Sequence, residues 1–233
     1  MQARLSWVQP PDYAHGAIIG RSYRSNACAH TEATRAATFD IKSFYEKTRA
    51  RRVFEFFSSD LKCAPDVALL LMRLTCDKDS LPTGSPLSPI LSLHANRPLF
   101  DGLDTLAKCH SLIFTSYIDD LTFSGSSIST NLPLLVRKVV ENHGHVLADK
   151  KTKVFERRHA KHITGVVVKD GQIRVPHTRF LKARAITSAI DSGISGNRIG
   201  LQRKLAGLLA EAAHLDIRFR GWARKAQCDL RTA

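Results

Sequence analysis

The chain has 233 residues with 43% hydrophobic content, enough for a folded core and too apolar for a disordered tail. Lys and Arg number 35 against 21 for Asp and Glu, and a formal charge of +14 points to a polyanionic partner, nucleic acid being the commonest, unless the basic surface serves solubility alone. Five cysteines (Cys28, Cys63, Cys76, Cys109, Cys228) are odd in number and never spaced C-x-x-C, which argues against a disulfide framework or a zinc site. The N-terminus lacks the apolar core of a signal peptide, and no stretch reaches the roughly 20 apolar residues of a membrane span. A soluble protein of the reducing cytoplasm, with no membrane partner, is the expectation.

In chain order, "AATFDI" (36–41) reads as a short strand and "RARRVFEFF" as a helix. "APDVALLLMRLT" places Pro65 where a first helical turn accepts it, and Val67, Leu70, Leu71 and Leu74 predict the face of a core helix. "LPTGSPLSPILSLHANRPLF" begins as a loop and turns into a buried helix. "LIFTSYIDDLTFSG" is two β-type runs around a polar pair, a hairpin with Asp119 and Asp120 at its tip. A helix follows from about Pro133 to Asn142, with Gly144 at its stop. "HVLADKKTKVFE" and "HITGVVVKDGQIRVP" look like strands, and Asp170-Gly171 is a turn signal. After Pro176, "TRFLKARAITSAI" and "LQRKLAGLLAEAAHLD" are helical patterns joined by "DSGISGNRIG". Basic residues crowd this part, although a charge run is most often a solvated face.

Two adjacent carboxylates at a hairpin tip repel unless a cation sits between them, and Mg²⁺ is held by one or two carboxylates together with substrate phosphates. Asp40, at the end of "AATFD", is the natural third ligand. Two such ions can activate an attacking oxygen and stabilise a leaving one in phosphoryl displacement. Taken alone, Asp119-Asp120 would be read as an ordinary turn pair; the apolar flanks, Tyr117 and the further motifs shift that balance.

The motifs resemble those of bacterial reverse transcriptases, and among them those of retrons. "FDIKSFY" (39–45), "LPTGSPLSP" (81–89), "YIDD" (117–120) and "GHVLADKKTKV" (144–154) are similar to four polymerase motifs in their order. "GRSYRSNACAH" holds an N-A-x-x-H pattern in Asn26, Ala27 and His30, and "ITG" (163–165) stands where retron enzymes show V-T-G. The resemblance implies an α/β (α+β) right-hand fold: an antiparallel palm sheet with helices, reduced fingers within 1–176, and a helical thumb at 177–233. It implies that Asp40, Asp119 and Asp120 hold two Mg²⁺ ions and that Lys151 assists the leaving pyrophosphate, a solvated lysine being the rival reading. It places Tyr45 under the sugar of the incoming nucleotide, where a ring would exclude a 2′-OH; a core aromatic is the rival reading for either Phe44 or Tyr45 but not for both, since neighbours on a strand point to opposite faces. Phe44, Thr83, Gly84 and Tyr117 fall in the same nucleotide-binding motifs, and Thr83 stands where the family has Gln.

RNA contact is implied for Asn26, His30, Thr164 and Gly165, whose bland alternatives are a braced loop and a bend. It is expected too for the basic Arg179, Lys182 and Arg184. The implied activity is RNA-directed DNA synthesis from dNTPs on a structured noncoding RNA that serves as template and primer. The expected DNA product is RNA-linked, made in antiphage defence with an effector protein as partner. Fourteen residues precede His15, fewer than retron fingers require, so shortened fingers are expected unless another chain supplies them. The alternatives are a reverse transcriptase of another bacterial lineage and an RNA-binding scaffold on the same palm.

Overall fold

The computed structural model describes residue 5, residues 8–193 and residues 197–231. The chain forms two compact units, residues 1–159 and 160–233. The boundary placed after residue 176 falls inside the second unit, which takes in the strands of "HITGVVVKDGQIRVP" with the C-terminal helices.

In the first unit, α1 (Tyr23–Cys28) starts at Ser22, whose side chain and that of Ser25 cap each other's backbone N–H. It leads to β1 (Arg35–Asp40), a one-turn α2 (Phe44–Lys47), α3 (Ala50–Glu55) with a π-helical extension, and α4 (Pro65–Thr75). Then follow α5 (Ser88–Ala95), α6 (Arg97–Cys109), the hairpin β2 (Ile113–Tyr117) and β3 (Asp120–Gly125), α7 (Leu132–Asn142) and β4 (Lys153–Phe155). The strands form one antiparallel sheet in the order β2-β3-β1-β4. Strand alternation sorts its two faces. Ala37, Phe39, Leu121, Phe123 and Phe114 point into the core, where Phe123 meets Phe39 edge-on at 5.8 Å and Phe114 at 4.9 Å. Leu91, Leu99, Phe100, Leu103, Val136 and Val140 of α5, α6 and α7 complete that cluster. The opposite face carries Thr38, Asp40, Asp120, Thr122, Ser124, Thr115 and Tyr117.

Three local expectations are corrected. The helix at 65–75 forms with Pro65 in its first turn, but Val67, Leu70 and Leu74 are exposed, Leu74 at 69%. Its inward stripe is Ala68, Leu71, Met72 and Thr75, so the small Ala68 sets how closely the helix packs. The Leu69–Leu71 run left the phase of the helix ambiguous. Phe44 and Tyr45 lie on α2, not on a strand, because Ser43 takes a left-handed φ of 51° and turns the chain straight out of β1. "HVLADKKTKVFE" is a strand only at β4; Leu147 bridges Ile41 singly and residues 149–151 form a 3₁₀ turn.

In the second unit β5 (Lys161–Ile163), β6 (Val166–Lys169) and β7 (Gln172–Arg174) form an antiparallel sheet. Asp170 and Gly171 both have positive φ (52° and 72°), as a tight hairpin turn requires, and Thr164 and Gly165 (47° and 74°) make a second such turn. Three helices follow: α8 (His177–Asp191), α9 (Arg198–Leu215) and α10 (Arg220–Arg231). The third was not anticipated, because its buried positions are the alanines Ala223 and Ala226, which pack with Ala183, Leu205, Ala206 and Leu209, while Trp222 and Leu230 are only partly buried against them. Residues 194–196 of the expected joint lie outside the described residues. Among the described residues no helix is long and apolar enough to cross a membrane.

The packing of α4 sets a stability contrast. Ala68→Leu, at a fully buried position, should destabilise by about 1–3 kcal/mol through overpacking. Leu74→Gln should stay within about 0.5 kcal/mol of the parent in urea unfolding.

Candidate active site

Register builds the site. Asp40, the last residue of β1, lies directly opposite Asp120, the first residue of β3, and Asp120 lies opposite Tyr117 at the end of β2. Residues directly opposite each other in an antiparallel pair share a face. Asp40, Asp120 and Tyr117 therefore emerge together at the open end of the sheet. Only Ile118 and Asp119 form the turn, and Ile41 N–H donates to the Asp119 carbonyl at 3.0 Å, which ties the turn to the chain leaving β1. The lysine-bearing segment docks on that same exit: Lys42 N–H donates to Val146 O and Ala148 N–H to Asp40 O, both at 2.8 Å.

The turn stores strain. Ile118 has φ 61°, a left-handed conformation that is a genuine outlier for a β-branched residue. It is over-determined from behind by the N-terminal segment, which runs beside β2 with His15 N–H donating to Ser116 O and Ser116 N–H to Tyr13 O, both at 2.8 Å. A Cβ on Gly16 would stand 2.6 Å from Ile118 N and 3.0 Å from Tyr117 C, so only glycine lets the segment close on the turn. Arg21 clamps this strap by donating from Nη1 to the carbonyls of Pro11, Asp12 and Ala14 at 2.6–3.0 Å. Tyr13 donates to Asp101 at 2.6 Å, and His15 Nδ1 lies 2.8 Å from Ser25 Oγ. No motif in the sequence marked this strap; Gly16, between His15 and Ala17 and six residues ahead of the capping Ser22, was the residue that could have done so.

The carboxylates feel one another. Burial, then the charges of Asp119 and Asp40, push Asp120 up to about 6. Asp119 is raised as well, first by burial and further by Asp40. Lys151 opposes both rises: its Nζ donates to Asp40 Oδ2 at 2.7 Å, and this bond holds the ammonium above its ordinary range. Burial pushes the Tyr45 phenol up to about 12, and the Asp119 charge adds to it. Among the described residues no three His, Cys, Asp or Glu side chains already surround one point. The donor chemistry nevertheless fits a hard cation. All three groups are carboxylates, Asp40 and Asp120 are paired by register with Asp119 next to them in the turn, and Asp40 already accepts from the Lys151 ammonium.

The remaining expected residues separate into those at the site and those away from it. Thr83 and Gly84 are exposed on the loop before α5, where Gly84 has φ 92° and Ser88 Oγ donates to Pro82 O at 2.7 Å. Phe44 is corrected from nucleotide contact to core: it is 4% exposed and packs on Phe100 at 5.8 Å and on the His145 ring at 5.2 Å. Asn26 and His30 have no exposed surface, so as folded their side chains do not reach RNA. His30 instead bridges β2 and β3, with Nδ1 2.6 Å from Ser124 Oγ and Nε2 2.7 Å from Thr115 Oγ1. Burial pulls this imidazole down to about 3, which keeps it neutral with one nitrogen donating and the other accepting. In the second unit Thr164 and Gly165 form the β5–β6 turn, and Gly165 lies where a Cβ would meet the Arg179 guanidinium at 3.2 Å. Arg179 donates to Glu211 Oε1 at 2.6 Å, while Lys182 and Arg184 are exposed on α8, Arg184 over the Phe180 ring.

No protein-family model matches the chain. Among solved structures it is similar to the foamy viral protease-reverse transcriptase in complex with an RNA/DNA hybrid, with a TM-score of 0.52 and 16% identity over 83% of this chain and 24% of that one. That likeness shows an α/β polymerase fold with the palm sheet. In sequence the chain is similar to retron reverse transcriptases. It is 28% identical to Retron Ec86 reverse transcriptase of Escherichia coli over 167 residues, 71% of this chain and 52% of that protein. It is also 28% identical to Retron Se72 reverse transcriptase of Salmonella heidelberg (strain 579083-10) over 176 residues, 70% of this chain and 45% of that protein. The chain thus spans about half the length of the curated relatives it matches.

Two measurements check the site as a physical object. A carboxyl raised on folding contributes stability that is full below its unfolded value and lost as pH rises through the folded one. In EDTA, Asp120→Asn should match the parent at pH 4 and exceed it by up to about 2 kcal/mol at pH 8 after solvent screening, by chemical denaturation. Gly16→Ala should lower stability by about 1–3 kcal/mol through its contact with the Ile118 backbone. Gly207→Ala, mid-helix in α9 with nothing within 4 Å, should be neutral or stabilising by up to about 1 kcal/mol.

Proposed function

We propose that the chain catalyses RNA-directed DNA synthesis as a retron-type reverse transcriptase. The observation that carries this reading is the register of Asp40 against Asp120 and Tyr117, with Asp119 beside them in the turn and Lys151 bonded to Asp40. The sequence likeness to retron reverse transcriptases supports it. Asp40, Asp119 and Asp120 would hold Mg²⁺. The chemistry supplied there, with two ions bound, is activation of the attacking primer oxygen and charge stabilisation of the leaving one.

The chain's own groups do the rest. Exposed Lys151 meets the negative charge that develops on the leaving pyrophosphate. Tyr45 presents its ring to the sugar and excludes a 2′-OH, so deoxynucleotides are the substrates. Gly84, with its positive φ and no side chain, lets the backbone of the loop approach the nucleotide. The exposed bases of the second unit, Lys182 and Arg184 among them, would track the phosphate backbone of a noncoding RNA that serves as template and primer. An RNA-linked single-stranded DNA, a role in antiphage defence beside an effector protein, and a cytoplasmic location complete the proposal.

The test is primer extension on an RNA template with dNTPs and Mg²⁺. The parent should incorporate deoxynucleotides, and Asp119→Asn/Asp120→Asn should lose at least about 10³-fold in rate, as expected when charge stabilisation at the reacting centre is removed. RNA binding by the parent without incorporation would sink the reading and favour the scaffold.

A further inference from the structure

Tyr45 sits on a helix that has no means of holding itself in place. A single turn is far below the length at which a helix persists alone. The N-cap of α2, Ser43, is left-handed and makes no side-chain capping bond. What ends the turn is Thr48, which has no exposed surface. Its N–H donates to the carbonyls of Phe44 and Tyr45, both at 3.0 Å, and its Oγ1 donates to Phe44 O at 2.9 Å.

Thr48 Oγ1 is in turn the acceptor for Asn96 Nδ2 at 2.9 Å, which brings in a group 48 residues away in sequence. Asn96, between α5 and α6, is 1% exposed and its amide is fully used. Nδ2 also donates to Ser92 O at 2.8 Å, while Oδ1 accepts from Arg52 Nη1 at 2.5 Å and lies 2.8 Å from His145 Nε2. Arg52 Nη2 donates to His143 O at 2.6 Å. One buried amide thus joins α2, α3, the α5–α6 corner and the start of the segment that pairs with the exit of β1. The Thr48 carbonyl extends the link by accepting from Leu81 N–H at 3.2 Å at the head of the Thr83-Gly84 loop.

We propose that Thr48, anchored by the Asn96–Arg52–His145 cluster, is the positioning residue that sets the Tyr45 ring and hence the discrimination between deoxy- and ribonucleotides. This rests on the polymerase reading above. Without the anchor, α2 keeps the burial of Phe44 against Phe100 but loses the side-chain hydrogen bonds that fix the end of its single turn. A ring free to swing no longer excludes the 2′-OH, and it offers less to the deoxyribose. The expected loss is therefore in selectivity and in KM for the nucleotide more than in kcat.

The test uses Thr48→Val, which keeps the volume and removes the hydroxyl, and Thr48→Ser, which restores it. With purified full chain on a primed RNA template, Thr48→Val should lower the dNTP-over-rNTP ratio of kcat/KM roughly fivefold, the scale of one net hydrogen bond. KM for dNTP should carry most of the change, and Thr48→Ser should recover the parent ratio. Backbone hydrogen exchange at Lys47 and residue 48 gives a readout that needs no activity: Thr48→Val should accelerate it at least about tenfold, with the β1 and β3 amides unmoved. If the parent fails to polymerise, the functional reading falls while exchange still decides whether Thr48 holds α2. A folded Thr48→Val with parental discrimination, or with parental exchange at α2, overturns the proposal. Should Thr48→Val not fold, Arg52→Lys, which removes the guanidinium that bonds both Asn96 Oδ1 and His143 O without touching α2, is put to the same two measurements, and no change in either has the same meaning.

Discussion

The site depends on the mutual repulsion of carboxylates brought together by strand pairing. Asp40 and Asp120 face each other because β1 and β3 are antiparallel partners along their whole length, and Asp119 immediately precedes Asp120 in the turn. Burial and like charge raise both hairpin carboxylates, with Asp120 near 6. A fold that sought stability alone would not keep this arrangement, because each ionisation works against it. The compensations are visible around it. Lys151 reaches Asp40, the chain leaving β1 bonds the turn, and the strap closes on Ile118 from the other side.

The two faces of the sheet divide the labour. The inner face is an aromatic and aliphatic core that fixes where the strands lie. The outer face is held by polar groups that a core would not tolerate unpaired. At the end remote from the carboxylates, His30 joins Thr115 and Ser124 and so links β2 to β3 through side chains as well as backbone. At the near end the carboxylates and Tyr117 stand at the opening. The N-A-x-x-H pattern is thereby tied to the active hairpin from within the protein instead of from the nucleic acid.

Period-two alternation in "TFDI", "IFTSY" and "LTFSG" made the strands and the hairpin legible, and Asp170-Gly171 announced its own turn. The carboxylate triad could be assembled because the motifs occur in order along the chain, although their facing register is a product of pairing. What stayed hidden did so for identifiable reasons. The phase of α4 was ambiguous within a run of leucines, and α10 buries alanines that carry little hydrophobic signal. Phe44 and Tyr45 were expected on a strand because nothing in "DIKSFY" reveals that Ser43 turns left-handed. The partners of Thr48, Asn96 and His145 lie tens of residues apart, so no local pattern could have joined them.

The hairpin turn has a consequence for how this chain can vary. Two residues separate β2 from β3, and side chains alternate with a period of two, so a single inserted or deleted residue at Ile118-Asp119 that slipped β3 by one position would turn Asp120 toward the aromatic core and bring a leucine to the opening. Loop length is usually among the freest variables of a β-hairpin. Here it behaves as part of the chemistry, a spacing that sequence drift can alter only in compensated pairs. The adjacent loops that make no register contact with Asp40 are under no such counting rule.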